Sequence, residues 1–177
     1  MIPNLKYLLA GVEVKSTALA LESWDHGPRH WRDVARVGIR LAEATPGADP
    51  ELVFLFGLLH DTRRINEWHD PDHGRRAAEI VPQLLQAGLV QLEPPRAALL
   101  VQAIANHVEG VTTLEPTVGC CWDADRLTLG RVGVVPKLSY LSTHAAKDES
   151  TMAWADEVTR GQDQPWKSIH TSFGHGP

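Results

Sequence analysis

A histidine and an aspartate stand side by side at the end of the most apolar stretch of the chain. This is "FLFGLLHDTRR", Phe54 to Arg64, in which two arginines soon follow the pair. A buried helix ordinarily stops at a cap or a glycine. Here His60 and Asp61 instead offer an imidazole nitrogen and a carboxylate oxygen, both metal-ligand types, and Arg63 and Arg64 offer donors suited to an anion. Neighbouring residues on a helix point about 100° apart, so both members of the pair reach one ion only from a helix end that faces it.

Other histidines and aspartates sit on apolar faces. His30 heads the stripe of Val34, Val37 and Leu41, and His73 stands in the same relation to Ala77, Ile80 and Leu84. His107 follows Leu100 and Ile104 at helical spacing, and Asp125 lies between Trp122 and Leu129. One such residue is ordinarily a hydrogen-bonded core group. Five helices each turning one inward is another matter, because burying that many unpaired polar groups costs several kcal/mol apiece. A shared divalent cation removes the difficulty. Neutral imidazoles with carboxylates suit Mn, Fe, Co, Ni, Zn or Mg without selecting among them.

The elements that must position these groups are helices, since apolar residues recur with a helical period and no alternating strand appears. Residues 3–22 are expected as a first helix. Pro28 opens a second, and Asp49–Pro50 caps and opens the helix that runs into the His-Asp pair. Asp70–Pro71 repeats that device ahead of "DHGRRAAEIVPQLLQAG", where Pro82 kinks or divides the helix and Gly88 stops it. "PPRAALLVQAIANHVEG" forms the next helix, "CCWDADRLTLGRVG" begins another, residues 137–160 hold one or two more, and "FGHGP" frays. The expected fold is a single all-α bundle with a buried metal site.

The bulk properties agree. A chain of 177 residues with 43% hydrophobic content suits one domain, and a net charge of −5 argues against extended nucleic acid as a partner. No apolar run reaches membrane-spanning length, and the N-terminal segment, interrupted by Lys6, Glu13 and Lys15, makes a poor signal peptide. The adjacent Cys120 and Cys121 form no disulfide framework and read as small buried hydrophobes, so a cytoplasmic location is expected. A homodimer is compatible with all of this.

Together, His30 in "HGPRHWRDV", His60-Asp61 in "LLHDTRR" and Asp125 in "DADRLTLG" resemble the HD-domain metal-dependent phosphohydrolase superfamily, in particular its small stand-alone members. The resemblance runs from about residue 26 to 135. It implies an N-terminal helix (1–25) packed on an HD core (26–135), C-terminal helices (136–165) completing the bundle, and a flexible tail (166–177). It also implies His30, His60, Asp61 and Asp125 as ligands of one ion. "DHGRRAAEI" and "ANHVEG" resemble the extra histidine segments of two-metal members, by which His73 and His107 would hold a second ion with Asp61 bridging. The lysine and GYP elements of the HD-GYP phosphodiesterases are missing.

The implied chemistry is hydrolysis of a phosphate ester, in a nucleotide or similar small phosphorylated metabolite, by a metal-activated water. Asp61 would orient that water, and Arg64 and Arg126 are the first choices for the phosphoryl oxygens. Arg63 stands with them as a preferred contact, and Arg75, Arg76 and Arg131 follow as weaker candidates. Asp123 is read as a partner of a ligand histidine or as a helix cap, His26 as a residue of the site mouth or a cap, and His69 or Asp70 as an acid for the leaving group. Trp31 and Trp122 are expected to wall the pocket. Two other readings use the same residues: an HD-fold di-iron oxygenase, and a non-catalytic metal- or nucleotide-binding module.

Overall fold

Proline at the first helical turn sets four of the chain's longest helices. In the computed structural model, which describes residues 1–173, these are α3 (Pro28–Ala44), α4 (Pro50–Leu59), α7 (Pro94–Asn106) and α8 (Pro116–Leu127). A proline there loses no hydrogen bond, because the first amides of a helix have no intrahelical acceptor. The Asp49 carboxylate accepts from the amides of Glu51 and Leu52, each at 3.1 Å. Everything from Leu52 to Leu59 is buried, so α4 is the axis of the bundle. Helices α3, α7 and α8 pack around it.

The remaining elements are α1 (Leu5–Lys15), α2 (Ala18–Glu22), α5 (His73–Ala78), α6 (Ile80–Gln86), α9 (His144–Lys147), α10 (Glu149–Arg160) and α11 (Trp166–Phe173). Single 3-10 turns lie at His107–Glu109, Thr128–Val132 and Leu138–Tyr140. Among the described residues there is no strand, and no helix is long and apolar enough to cross a membrane. The fold is all-α, as expected from the periodicity.

Several boundaries differ from the sequence expectation. The single helix at 3–22 is two, because Ser16 and Thr17 are extended, the Thr17 hydroxyl caps α2, and the Thr17 amide bonds the Thr62 carbonyl. That contact ties the break to the loop after the His-Asp pair. The helix after Asp72 divides at Glu79, three residues ahead of Pro82, whose ring crowds the preceding turn. Helix α8 begins at Pro116 rather than Cys120, since Glu115 caps it through the Val118 amide. The segment expected as a flexible tail begins with α11, which packs on α3 and α4 through buried Ile169 and an edge-to-face contact of Trp166 with Phe54. The expected fraying of "FGHGP" falls on residues 174–177 for its greater part, and these, His175 included, lie outside the described residues.

Two glycines set the helix spacing that the site needs. A methyl group at Gly57 would lie 2.7 Å from the Ala35 backbone nitrogen, so α4 touches α3 at this level, between His30 and His60. A methyl at Gly74 would lie 2.7 Å from the Ile104 carbonyl, so α5 seats directly on the end of α7 and brings His73 to His107.

Candidate metal centre

Six side chains from five helices and their ends converge at one point. His30 lies in the first turn of α3, His60 caps α4 and Asp61 follows it. His73 opens α5, His107 follows α7 and Asp125 lies in the last turn of α8. Their donor atoms form two groups, one of His30, His60 and Asp125, the other of Asp61, His73 and His107. In the first, the Nε2 atoms of His30 and His60 are 3.2 Å apart, and Asp125 Oδ1 lies 3.3 and 3.8 Å from them. In the second, the Nε2 atoms of His73 and His107 are 2.9 Å apart, with Asp61 Oδ1 at 2.9 and 3.8 Å. Asp61 turns its other oxygen, Oδ2, to the first group, 3.6 Å from His60 and 3.7 Å from His30. One carboxylate thus faces both.

The proton positions follow from the opposite ring nitrogens. Nδ1 of His60 lies 3.2 Å from the Gly57 carbonyl, Nδ1 of His107 lies 2.7 Å from that of Ile104, and Nδ1 of His73 bonds that of Asp70. A carbonyl only accepts, so each Nδ1 carries the hydrogen and each Nε2 presents a lone pair. The second group therefore sets two lone pairs 2.9 Å apart, and only a proton or a cation between them relieves the repulsion. Ligand atoms about 2.0–2.2 Å from an ion sit about 3–3.5 Å from one another, close to the spacings found here. The donor set fits divalent metal ions, with His30, His60, Asp125 and Asp61 for one and Asp61, His73 and His107 for a second.

Electrostatics point the same way. Burial lowers the His30 pKa to about 3, helped by the Arg131 charge, and lowers that of His60 to about 4. Both rings are neutral ligands at neutral pH. Burial alone would raise the carboxyls of Asp61 and Asp125, yet the histidines around them hold both well below the usual range, His60 foremost at Asp61, and His30 then His60 at Asp125. For His107, burial is outweighed by the bond to Asp61 and the charge of Asp125, and its pKa is raised.

The arginines divide in a way the sequence did not foretell. Arg64 is buried at the site, with Nη1 3.4 Å from Asp61 Oδ1 and 3.2 Å from His73 Nε2. Arg126, expected beside it, is turned away: its guanidinium bonds the Tyr140 and Val111 carbonyls and holds loops, a correction to its expected role. Arg131 takes that place instead. Its Nε holds the Asp25 carbonyl at 2.6 Å, its Nη2 lies 3.4 Å from His26 Nδ1, and it couples electrostatically to both Asp61 and Asp125. Arg63 reaches back to the Lys15 carbonyl, Arg75 pairs with Asp72, and Arg76 pairs with Asp70.

Asp70 is occupied further by the Ile65 amide, and His69 is exposed. Asp123 staples the start of α9 through Ser142 and Thr143 rather than a ligand histidine. His26 belongs to the site, with Nδ1 3.3 Å from Asp61 Oδ2. Its backbone is fixed by the Trp31 indole, which donates to the His26 carbonyl at 2.7 Å, while the Trp122 indole donates to the Ala103 carbonyl. Both cysteines are buried and free, and burial pushes the Cys120 thiol up to about 11. The roles of His26 and Arg131 depend on loop conformation, which no periodic pattern encodes.

A family model for the HD domain matches residues 29–130, more than half of the chain. The protein belongs to the HD-domain family, whose members bind divalent metals and for the most part act as metal-dependent phosphohydrolases. Neither a curated protein nor a solved structure matches it.

Proposed function

We propose that the protein hydrolyses a phosphate ester of a small metabolite, a nucleotide being the leading class. The observation that carries this reading is the position of Asp61, with one oxygen toward each histidine group and the Arg64 guanidinium 3.4 Å away. A divalent ion held by these side chains would lower the pKa of a water toward neutrality and polarise a phosphoryl oxygen. The chain's own residues supply the rest. Asp61 accepts a hydrogen bond from that water and aims it. Arg64, whose Nε has no partner, and Arg131, which interacts electrostatically with Asp61 and Asp125, balance charge that develops on the phosphoryl oxygens. The exposed indole of Trp24, next to the Asp25 carbonyl that holds Arg131, offers a face for a base.

The test is turnover of a phosphomonoester and phosphodiester panel by metal-loaded protein. His60→Ala and Asp61→Ala are each expected to lose about 100-fold or more. Metal-dependent activity that survives both at the wild-type rate defeats the proposal. The second histidine group supports one other reading, a di-iron oxygenase, because it completes a two-metal donor set. Anaerobically prepared protein containing two irons, with a spectrum that changes on exposure to oxygen, would favour that reading over hydrolysis.

A further inference from the structure

Three of the four histidines share one device, an Nδ1–H given to the carbonyl three residues earlier. His30 lacks it. Its Nδ1 is buried without a partner. The reason is its place in the chain. His60 and His107 end their helices, and His73 follows a turn, so each has a preceding carbonyl within reach. His30 is in the first turn of α3, where the carbonyl three residues back belongs to Gly27 at the helix cap, and His30 makes no bond to it.

On the same helix, one other buried group is in the same condition. Asp33 Oδ1 has no hydrogen bond, and its closest cation on that oxygen is Arg36 at 4.0 Å, with Arg29 3.6 Å from Oδ2. Asp33 stands three residues after His30, so the two share a helix face. Helical side chains lean toward the N-terminus, which carries the carboxylate of Asp33 back over the turn that holds His30. Both residues line one cleft of about 500 Å3, together with Asp25, Arg131 and Thr159. His30 Nδ1 and Asp33 Oδ1 are each buried and unpaired on neighbouring turns beside this cleft, and a single water admitted between them from the cleft would accept from one and donate to the other.

We propose that Asp33 is a positioning residue for His30, taking up the Nδ1–H through one bridging water and so fixing the tautomer that leaves Nε2 free for a metal ion. Asp33 then does for His30 what the backbone carbonyls do for the other three. A carboxylate also makes the ring a stronger donor than a carbonyl does, which sets His30 apart from its neighbours. The proposal rests on the reading that the His30 group holds an ion, and titration separates the two claims.

The experiment titrates Mn2+ into metal-free protein by calorimetry. It uses a His107→Ala background to isolate the His30 group and a His30→Ala background to isolate the other. In the first background, Asp33→Ala is expected to weaken binding 10- to 100-fold. Asp33→Asn, which keeps an acceptor oxygen, should restore most of it. In the second background Asp33→Ala should change nothing, an outcome that a general loss of fold would not produce. Nitrogen NMR of the His30 ring in wild-type protein supplies a readout that needs no variant, and an Nδ1–H tautomer is expected. Unchanged binding in the first background, an equal loss in both, or an Nε2–H tautomer in wild-type protein would each overturn the proposal. Wild-type protein that binds no divalent ion overturns both the proposal and the metal reading beneath it.

Discussion

Two arginines five residues apart have opposite employment. Arg126 spends its donors on the Tyr140 and Val111 carbonyls, whereas Arg131 holds one backbone loop and faces the paired carboxylates. Substitution should therefore separate stability from catalysis. Arg126→Ala removes bonds between a cation and two carbonyls, at a cost of about 1–2 kcal/mol, with catalysis changed only modestly. Arg131→Ala should reduce kcat/KM by about 100-fold, in the range seen on losing one donor to a developing anion. Thermal melts run beside kinetics would show it, and the reverse pattern would return Arg126 to the anion. The six candidate ligands were legible because a histidine or aspartate on an apolar helical face is conspicuous. Arg131 and His26 were legible only as minor candidates, since each reaches the site from a loop or a 3-10 turn, where residue spacing predicts no direction.

At the scale of elements, the site depends on how closely helices approach. Gly57 lets α4 rest on the backbone of α3, and the glycine lies three residues before His60 and on the level of Ala35, five residues beyond His30. Gly57→Ala places a methyl 2.7–2.8 Å from Ala35 backbone atoms, which no flexible side chain can relieve by moving. A loss of about 1–3 kcal/mol is expected, or about 2–4 °C of melting temperature for each kcal/mol in a chain of this size. Metal affinity should fall along with it, because separating α3 from α4 also separates His30 from His60. A melting point equal to wild type would show that the two helices part without cost. The existence of α3, α4 and α7 was readable from apolar periodicity and from proline at the first turn. The breaks at Ser16 and Glu79 were less so. Thr17 is held by a residue far along the chain, and the division at Glu79 precedes the proline that forces it. The Glu115 cap of α8 was overlooked because aspartate, not glutamate, is the familiar partner of a first-turn proline.

Seen whole, the molecule is a bundle whose helix ends are joined at one polar point, so ion binding and folding stability are linked. An ion present at 100 times its Kd contributes about 2.7 kcal/mol, which corresponds to about 5–10 °C for this length. The two groups should lose that contribution at different pH. His30 and His60 are neutral down to about pH 3 and 4, so protons do not compete for the first group between pH 7.5 and 5.5. His107 has its pKa raised above the ordinary 6.5, so an ion entering the second group must expel a proton. Affinity there rises with pH, and it falls about tenfold for each pH unit below the His107 pKa. Melting temperatures with and without excess Mn2+ at pH 7.5, 6.5 and 5.5 would display the difference. The metal-dependent increment should shrink as the second ion is lost, then hold at the value given by the first. An increment identical at all three pH values would mean that no proton is displaced, and one that vanishes entirely by pH 6.5 would mean that the two groups titrate as one. The two-stage decline is expected because burial prevails at His30 and His60, whereas at His107 the bond to Asp61 and the charges of Asp125 and Asp61 together outweigh it.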